Sequence, residues 1–210
     1  MTTEQQIINK LVQKLEDEEK WMVEKNINFG KMAKARLVKM KVSGEHPLQP
    51  QIDILCYDTA KDCLHAIEVK YYRYTGLKDS NYAKILAVMF EKGYIDGEYL
   101  NQHISNILQT TPRTYYAGID ESLALLNYGV DYAWLYHVIE IPPKWINWTE
   151  WVKNIIDSTP VGYKTLMYTD EKFTKDTIMK NADPNPILGS SSPESEKLEK
   201  IRKALIENLF

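Results

Sequence analysis

Two apolar runs dominate the first third of the chain, Gln51 to Asp58 and Cys63 to Tyr72, both rich in Ile, Val, Leu and Tyr, with only Thr59, Ala60, Lys61 and Asp62 between them. So short a connection admits an antiparallel hairpin and excludes a parallel pair, which needs a crossover of about a dozen residues or more. Side chains alternate along a strand. Glu68 and Lys70 therefore share one face of the second strand, and Ile67, Val69 and Tyr71 the other. On the first strand Asp53, Leu55 and Tyr57 oppose Ile52, Ile54 and Cys56. With Thr59–Asp62 as the loop, Asp58 faces Cys63, Tyr57 faces Leu64, and the count brings Asp53 opposite Glu68.

Around the hairpin the hydrophobic spacing changes to that of helices and further strands. Ile7, Ile8, Leu11, Val12 and Leu15 recur at helical intervals, and Thr3 and Gln6 are spaced for a capping box. Residues 21–29 read as a strand, 81–94 and 97–108 as two helices, and 122–130 as a short helix ending at Gly129. Residues 131–141 read as a strand stopped by Pro142 and Pro143, and 161–168 as a further strand. Residues 145–156 read as a helix carrying Trp145, Trp148 and Trp151 along one side, a packing ridge or an interface. Residues 183–195 have linker composition, and 196–210 form an amphipathic helix with Leu198, Ile201, Leu205 and Leu209 on one face. The expected organisation is an α/β domain over 1–182 with a helix-covered sheet, a linker over 183–195, and a C-terminal helical appendage over 196–210.

Composition narrows the function classes. Lys and Arg number 26 against 29 Asp and Glu, a net charge of −3, which excludes a protein that coats nucleic acid or anionic membrane by bulk positive charge. The hydrophobic fraction of 44% against 26% charged excludes wholesale disorder. Two cysteines, without a CxxC or a Cys–His cluster, exclude a disulfide-dense scaffold and argue against structural zinc. No signal-peptide pattern opens the chain, and no run approaches the roughly 20 apolar residues of a membrane helix, so a cytoplasmic protein without a membrane partner is expected.

The chemistry concentrates on the hairpin. Directly opposed residues in a sheet have Cβ atoms about 4.5–5.5 Å apart, and like charges so placed repel. A divalent cation removes the repulsion: Mg²⁺ takes oxygen ligands, one or two of them protein carboxylates, and leaves positions for water and phosphate. Lys70, on the face of Glu68, would orient an attacking water or stabilise charge on a phosphate. Glu18-Glu19-Lys20 has the same acid-x-lysine spacing at a charged helix end, without the strand context.

Pro50-Gln51-Ile52-Asp53 followed by Glu68-Val69-Lys70 resembles the signature of the PD-(D/E)xK nuclease superfamily, with a spacing wider than the strict Pro-Asp form. The resemblance covers residues 4–141 or so. It implies a restriction-endonuclease-like core, a mixed central sheet with flanking helices, built from a helix, a three-strand meander, a helix and a further strand. It also implies a hydrolase, an endo- or exodeoxyribonuclease dependent on Mg²⁺ or Mn²⁺ and acting on DNA in preference to RNA. Asp53, Glu68 and Lys70 would be catalytic; Asp53, Glu68, the Val69 carbonyl and an acid of the first helix, Glu4 ahead of Glu18 and Glu19, would hold the metal.

Other residues are weighed beside these. Lys31, Lys34, Arg36, Lys39 and Lys41 form a stretch with no acid, suited to a phosphate backbone, and Arg73 and Lys78 extend it. Tyr71 is expected in the core, leaving Tyr72 and Tyr74 to stack on bases. His65 should lie on the face opposite Glu68 as an inner residue, Cys56 should be a buried small hydrophobe, and His46 in the preceding loop is the one histidine worth testing. The alternatives are a catalytically weak or inactive nucleic-acid-binding module of the same fold, and an oligomeric interaction protein. The Trp ridge and the terminal helix leave a homodimer open in either case.

Overall fold

The structure, a computed structural model, describes residues 3–28, 51–72, 81–100, 117–140 and 148–210. Helix α1 (Glu4–Lys14) begins at the capping box: the Thr3 side chain accepts from the Gln6 N–H, and the Gln6 side chain accepts from the Thr3 N–H at 2.8 Å. Its Ile7, Ile8 and Leu11 are buried, and it runs into a π turn, Leu15–Glu19, whose acids face solvent. Strands β1 (Met22–Asn28), β2 (Gln51–Asp58) and β3 (Cys63–Tyr72) form an antiparallel meander. Helices α2 (Asn81–Glu91) and α3 (Ile119–Leu125) belong to the crossover that makes β4 (Tyr132–Ile139) parallel to β3. Helix α4 (Trp148–Ile156) leads to β5 (Gly162–Thr169), parallel to β4, and β6 (Lys172–Lys180) closes the sheet antiparallel to β5. Helix α5 (Pro193–Leu209) follows. The result is one mixed six-stranded sheet in sequence order, β1 through β6, with helices on both faces.

Each face has its own core. Helix α1 lays Ile7, Ile8, Leu11 and Leu15 against Ile54, Cys56, Ile67, Val69, Tyr136, Val138, Leu166 and Tyr168. The larger core on the other face joins Leu55, Leu64, Ala66, Tyr72, Leu135 and Tyr163 to Leu86, Leu125, Leu126, Val152, Ile156, Leu198, Ile201 and Leu205 of the helices and their adjoining turn. The hairpin register is the one the loop length dictates, with Asp58 opposite Cys63 and Tyr57 opposite Leu64. Cys56 is fully buried, as expected of a small hydrophobe.

Strict alternation fails at one place. Ile52 has the same parity as Ile54 and Cys56, yet it joins Ile27 in the larger core, while Ile54 and Cys56 face α1. The cause is a local turn of the two strands: Asn26 adopts a left-handed φ of 52°, and the β1–β2 ladder skips the Asn26–Asp53 step while keeping the same register on either side. The break takes the facing pair Asn26 and Asp53 out of the ladder.

β6 is absent from the periodicity-based expectation. It is an edge strand with mostly exposed residues, joined to β5 through Asp170 and Glu171, both at positive φ as a tight hairpin turn requires. The carboxy-terminal segment is tied to the domain. Asn185 is buried, and its amide donates to the carbonyls of Leu126 and Val130 at 2.8 Å each. Asp131 accepts from the Leu64 N–H at 2.7 Å and from Arg202 Nε at 2.9 Å, which anchors α5 to the start of β3. Trp151 is exposed on α4; Trp145 and the Trp148 side chain lie outside the description. No helix among the described residues is long and apolar enough to cross a membrane.

Gly129 sits where α5 meets the body. Its φ is 71°, and a Cβ there would stand 2.4 Å from the Leu198 carbonyl oxygen and 2.8 Å from the Arg202 nitrogen. Both the conformation and the overlap penalise a side chain, so Gly129→Ala is expected to destabilise by about 2–4 kcal/mol, read as a fall in the urea midpoint at unchanged m-value. A change below about 0.5 kcal/mol would mean that α5 does not dock against this turn.

Candidate active site

The break at Asp53 sets up the site. Beyond Ile54–Ile67 the β2–β3 ladder ends, with Asp53 at the next step opposite Glu68. Residue Val69 would meet Ile52 in a continued ladder; its N–H instead donates to Asp53 Oδ2 at 2.9 Å. The aspartate side chain has replaced a strand carbonyl, which holds its carboxylate at the hairpin's edge.

Glu68 and Lys70 occupy the face of the larger core, as the alternation requires, while Ile67 and Val69 face α1. Glu68 is 4% exposed. Lys70 donates from Nζ to Glu68 Oε1 at 2.6 Å and pairs with Glu121 Oε2 at 2.5 Å. Glu121 stands in the first turn of α3. The lysine stem runs past Gly118, where a Cβ would lie 3.1 Å from both Cγ and Cε of Lys70 and 2.7 Å from Leu135 Cδ1. Gly118 has a φ of 88°, so the absence of a side chain there serves both the turn into α3 and the passage of Lys70.

The electrostatics separate the carboxyls. Burial is the first cause that pushes the Glu68 carboxyl up, to about 9, and the neighbouring Asp53 charge adds to it. A hydrogen bond with Glu121 raises it too; the Lys70 contact alone holds it down, and the three opposing effects outweigh it. Burial likewise raises Asp53, against the Val69 N–H bond and the Lys70 charge that lower it. Glu121 is half exposed; burial raises it, but the Lys70 hydrogen bond prevails and its carboxyl lies below the usual range. Burial opposes the Lys70 charge, yet the bonds to Glu121 and Glu68 leave it held above the ordinary lysine value. At neutral pH the cluster is therefore Lys70⁺ paired with Glu121⁻, and Glu68 carries a proton.

His137 lies beside Lys70 in the parallel β3–β4 register and is fully buried. The Tyr163 hydroxyl lies 2.9 Å from its Nδ1, Ala117 O lies 3.4 Å from its Nε2, and burial lowers its pKa to about 3, so it is a neutral floor to the site. Of the predicted site residues, Asp53, Glu68 and Lys70 come together. Glu4, in the first turn of α1, lies near the end of β3, where its Oε2 accepts from the Tyr71 N–H at 3.4 Å, and its charge adds to the upward pressure on Asp53. Val69 is fully buried and its N–H is taken by Asp53. Lys31, Lys34, Arg36, Lys39, Lys41, Arg73, Tyr74, Lys78, His46 and Pro50 lie outside the described residues.

One expectation about an aromatic residue is corrected. Tyr72 is buried against the His137 ring, 4.9 Å between centroids, because its face at this point is covered by helices. Tyr71 packs half-buried against the core under α1, on the face expected of it, with its hydroxyl donating to Glu140 Oε2 at 3.0 Å. His65 is an inner residue opposite Glu68, stacked between Trp21 and Tyr132. Glu121 and Gly118 escaped the sequence reading: they join Lys70 only through the crossover, and no spacing rule links positions about 50 apart.

No family model, curated protein or solved structure matches this chain.

Among the described residues no three His, Cys, Asp or Glu side chains stand as a ready-made metal cage. The pair that fits a cation is Asp53 with Glu68: an all-oxygen donor set suited to a hard ion, both carboxyls raised in pKa by burial, and Glu68 raised further by the Asp53 charge. The protonated Glu68 has a consequence for stability. Its carboxyl keeps its proton in the folded chain up to about pH 9 but loses it near 4.5 when unfolded, so the folded state binds more protons across that window. Stability therefore falls as pH rises from about 5 to 9. Glu68→Gln, which cannot ionise, is expected to flatten this slope and to raise stability at pH 8 by about 1–2 kcal/mol, measured by denaturant melts across the range. Parallel pH profiles of the two proteins would show that Glu68 ionises freely.

Proposed function

We propose that the chain is a metal-dependent phosphodiesterase of the restriction-endonuclease-like type, a nuclease acting on DNA. The observation that carries this reading is the closeness of the Asp53 charge to Glu68 just past the end of a hairpin ladder, with Lys70 bonded to Glu68 at 2.6 Å. The order of one helix, a three-strand antiparallel meander, helical crossover and a parallel fourth strand supports the resemblance of the Asp53 and Glu68-Val69-Lys70 motifs to that superfamily. Fold analogy by itself would not license an activity, so the weight rests on the side chains.

In the mechanism Asp53 and Glu68 would hold a Mg²⁺ or Mn²⁺ ion, with Glu68 giving up the proton it carries in the free protein, and the Val69 backbone completing the donor set. The bound cation supplies polarisation of the scissile phosphate and a more acidic water. Lys70, already charged and fixed, donates a hydrogen bond to the attacking water or to a non-bridging phosphate oxygen and offsets negative charge as it develops. Buried His137 and Leu135 beneath it keep bulk water from the lysine's inner side. Glu4 stands close enough to influence Asp53 and is the candidate for a further acidic contact.

The test is cleavage of a panel of duplex, single-stranded, flap and branched DNA with Mg²⁺ or Mn²⁺. Wild type is expected to cut, EDTA to abolish cutting, and Asp53→Ala, Glu68→Ala and Lys70→Ala each to lose about 100-fold or more. Cutting that survives all three substitutions removes the site from the chemistry. DNA binding without cleavage would leave the fold as a binding module, and a stable oligomer lacking both properties would favour an interaction protein.

A further inference from the structure

We infer that Glu121 is a positioning residue for Lys70, so that the first turn of α3 completes the reaction site from the far side of the crossover. This inference rests on the nuclease reading above and names a residue the motif does not contain.

Lys70 has two carboxylate partners in the free protein, Glu68 at 2.6 Å and Glu121 at 2.5 Å. Only one of them remains available to it during the reaction. If Glu68 turns its oxygens to a cation, the ammonium loses that partner, and a four-carbon side chain with rotatable bonds loses its fixed position. Glu121 also hydrogen-bonds Glu68, but that bond goes when Glu68 turns to the cation, and its contact with Lys70 remains. It comes from a different element, approaches from the solvent side with half its side chain exposed, and leaves the inner side of the ammonium facing Glu68. The stem is confined as well: Gly118 brings α3's leading turn against Lys70 Cγ and Cε, and Leu135 closes the space beside it. Backbone bonds stabilise this turn, since the Ser122 N–H donates to the Gly118 carbonyl at 2.8 Å and the buried Ser122 hydroxyl donates to the Ile119 carbonyl at 2.9 Å. A helix turn is thus braced, cleared of a side chain at one position and armed with a carboxylate three residues later. Both features address the same lysine.

The remaining charged groups do not duplicate this role. Glu140 is engaged by the Tyr71 hydroxyl, and Glu4 by the Tyr71 N–H. Asp53 is occupied by the Val69 N–H. Glu121 and Glu68 are the two carboxylates paired directly with Lys70 among the described residues.

Two readouts test the assignment, one of them independent of cleavage. Reductive methylation of the metal-free protein, followed by peptide mass spectrometry, reports how firmly each lysine is held. Glu121→Gln is expected to raise the Lys70 modification rate about 5-fold or more while Lys14, paired with Glu18 and Asp176, stays unchanged. In Mg²⁺-dependent DNA cleavage the same variant, which loses some thermal stability but is assayed well below its melting temperature, is expected to lower kcat by about 5- to 10-fold at unchanged KM, with Glu121→Asp partly restoring kcat and Glu199→Gln on α5 behaving as wild type. An unchanged Lys70 modification rate overturns the inference, because Glu121 then does not hold the lysine. A raised rate with wild-type kcat overturns it too, since the contact would be structural only. A wild type that never cuts DNA sinks the nuclease reading and this inference together, whereas loss of kcat in Lys70→Ala but not in Glu121→Gln sinks the inference alone.

Discussion

A cation on a strand that is covered on both faces must be compensated where it lies, and Lys70 is such a cation. β3 is the inner strand that ends the antiparallel meander and begins the parallel half of the sheet, and it is buried along most of its length. An unpaired ammonium there would cost several kcal/mol. Its needs account for much of what surrounds it. Glu121 leans in from α3, Gly118 gives up a side chain to admit the stem, and Glu68 accepts a hydrogen bond while retaining its own proton. His137, one strand away, stays neutral, for burial and the nearby Lys70 charge both disfavour a second cation.

The hairpin and its register were legible in the sequence because loop length and period-two alternation leave no freedom there. Asp58 faces Cys63 and Ile54 faces Ile67, as counting requires, and the ladder ends there, one step short of Asp53 and Glu68. The capping box of α1 was equally legible, since Thr3 and Gln6 are local partners. What alternation could not foresee is the twist at Asn26 and Asp53. A left-handed asparagine carries no hydrophobic signal, and its effect is to move Ile27 and Ile52 from one core to the other. That irregularity is what releases the Asp53 carboxylate to the Val69 N–H.

Edge strands and long crossovers were the other blind spots, for different reasons. β6 has little apolar alternation because its outer side meets solvent, and its lysines discourage pairing with a second sheet. Glu121 is distant in sequence from Lys70, so their contact is a property of how α3 packs on β3 and β4. The terminal helix was legible as amphipathic, but its partner was not: Leu198, Ile201 and Leu205 pack into the larger core, and Arg202 joins Asp131.

Is this polar cluster a structural device or a working one? Buried ion pairs are poor stabilisers, and well-packed apolar side chains of similar volume commonly serve a fold better. Here the arrangement is more costly than a simple pair, because Asp53 and Glu68 cannot both ionise comfortably in the free protein. Asp53 does contribute a backbone bond, but an uninterrupted ladder would have supplied one to Val69 without it. A structural role therefore explains Lys70 with Glu121 and leaves Glu68 and the break at Asp53 unexplained. A divalent cation, as proposed for the site, would account for both, since it would compensate two carboxylates at once and turn the unfavourable proximity into affinity.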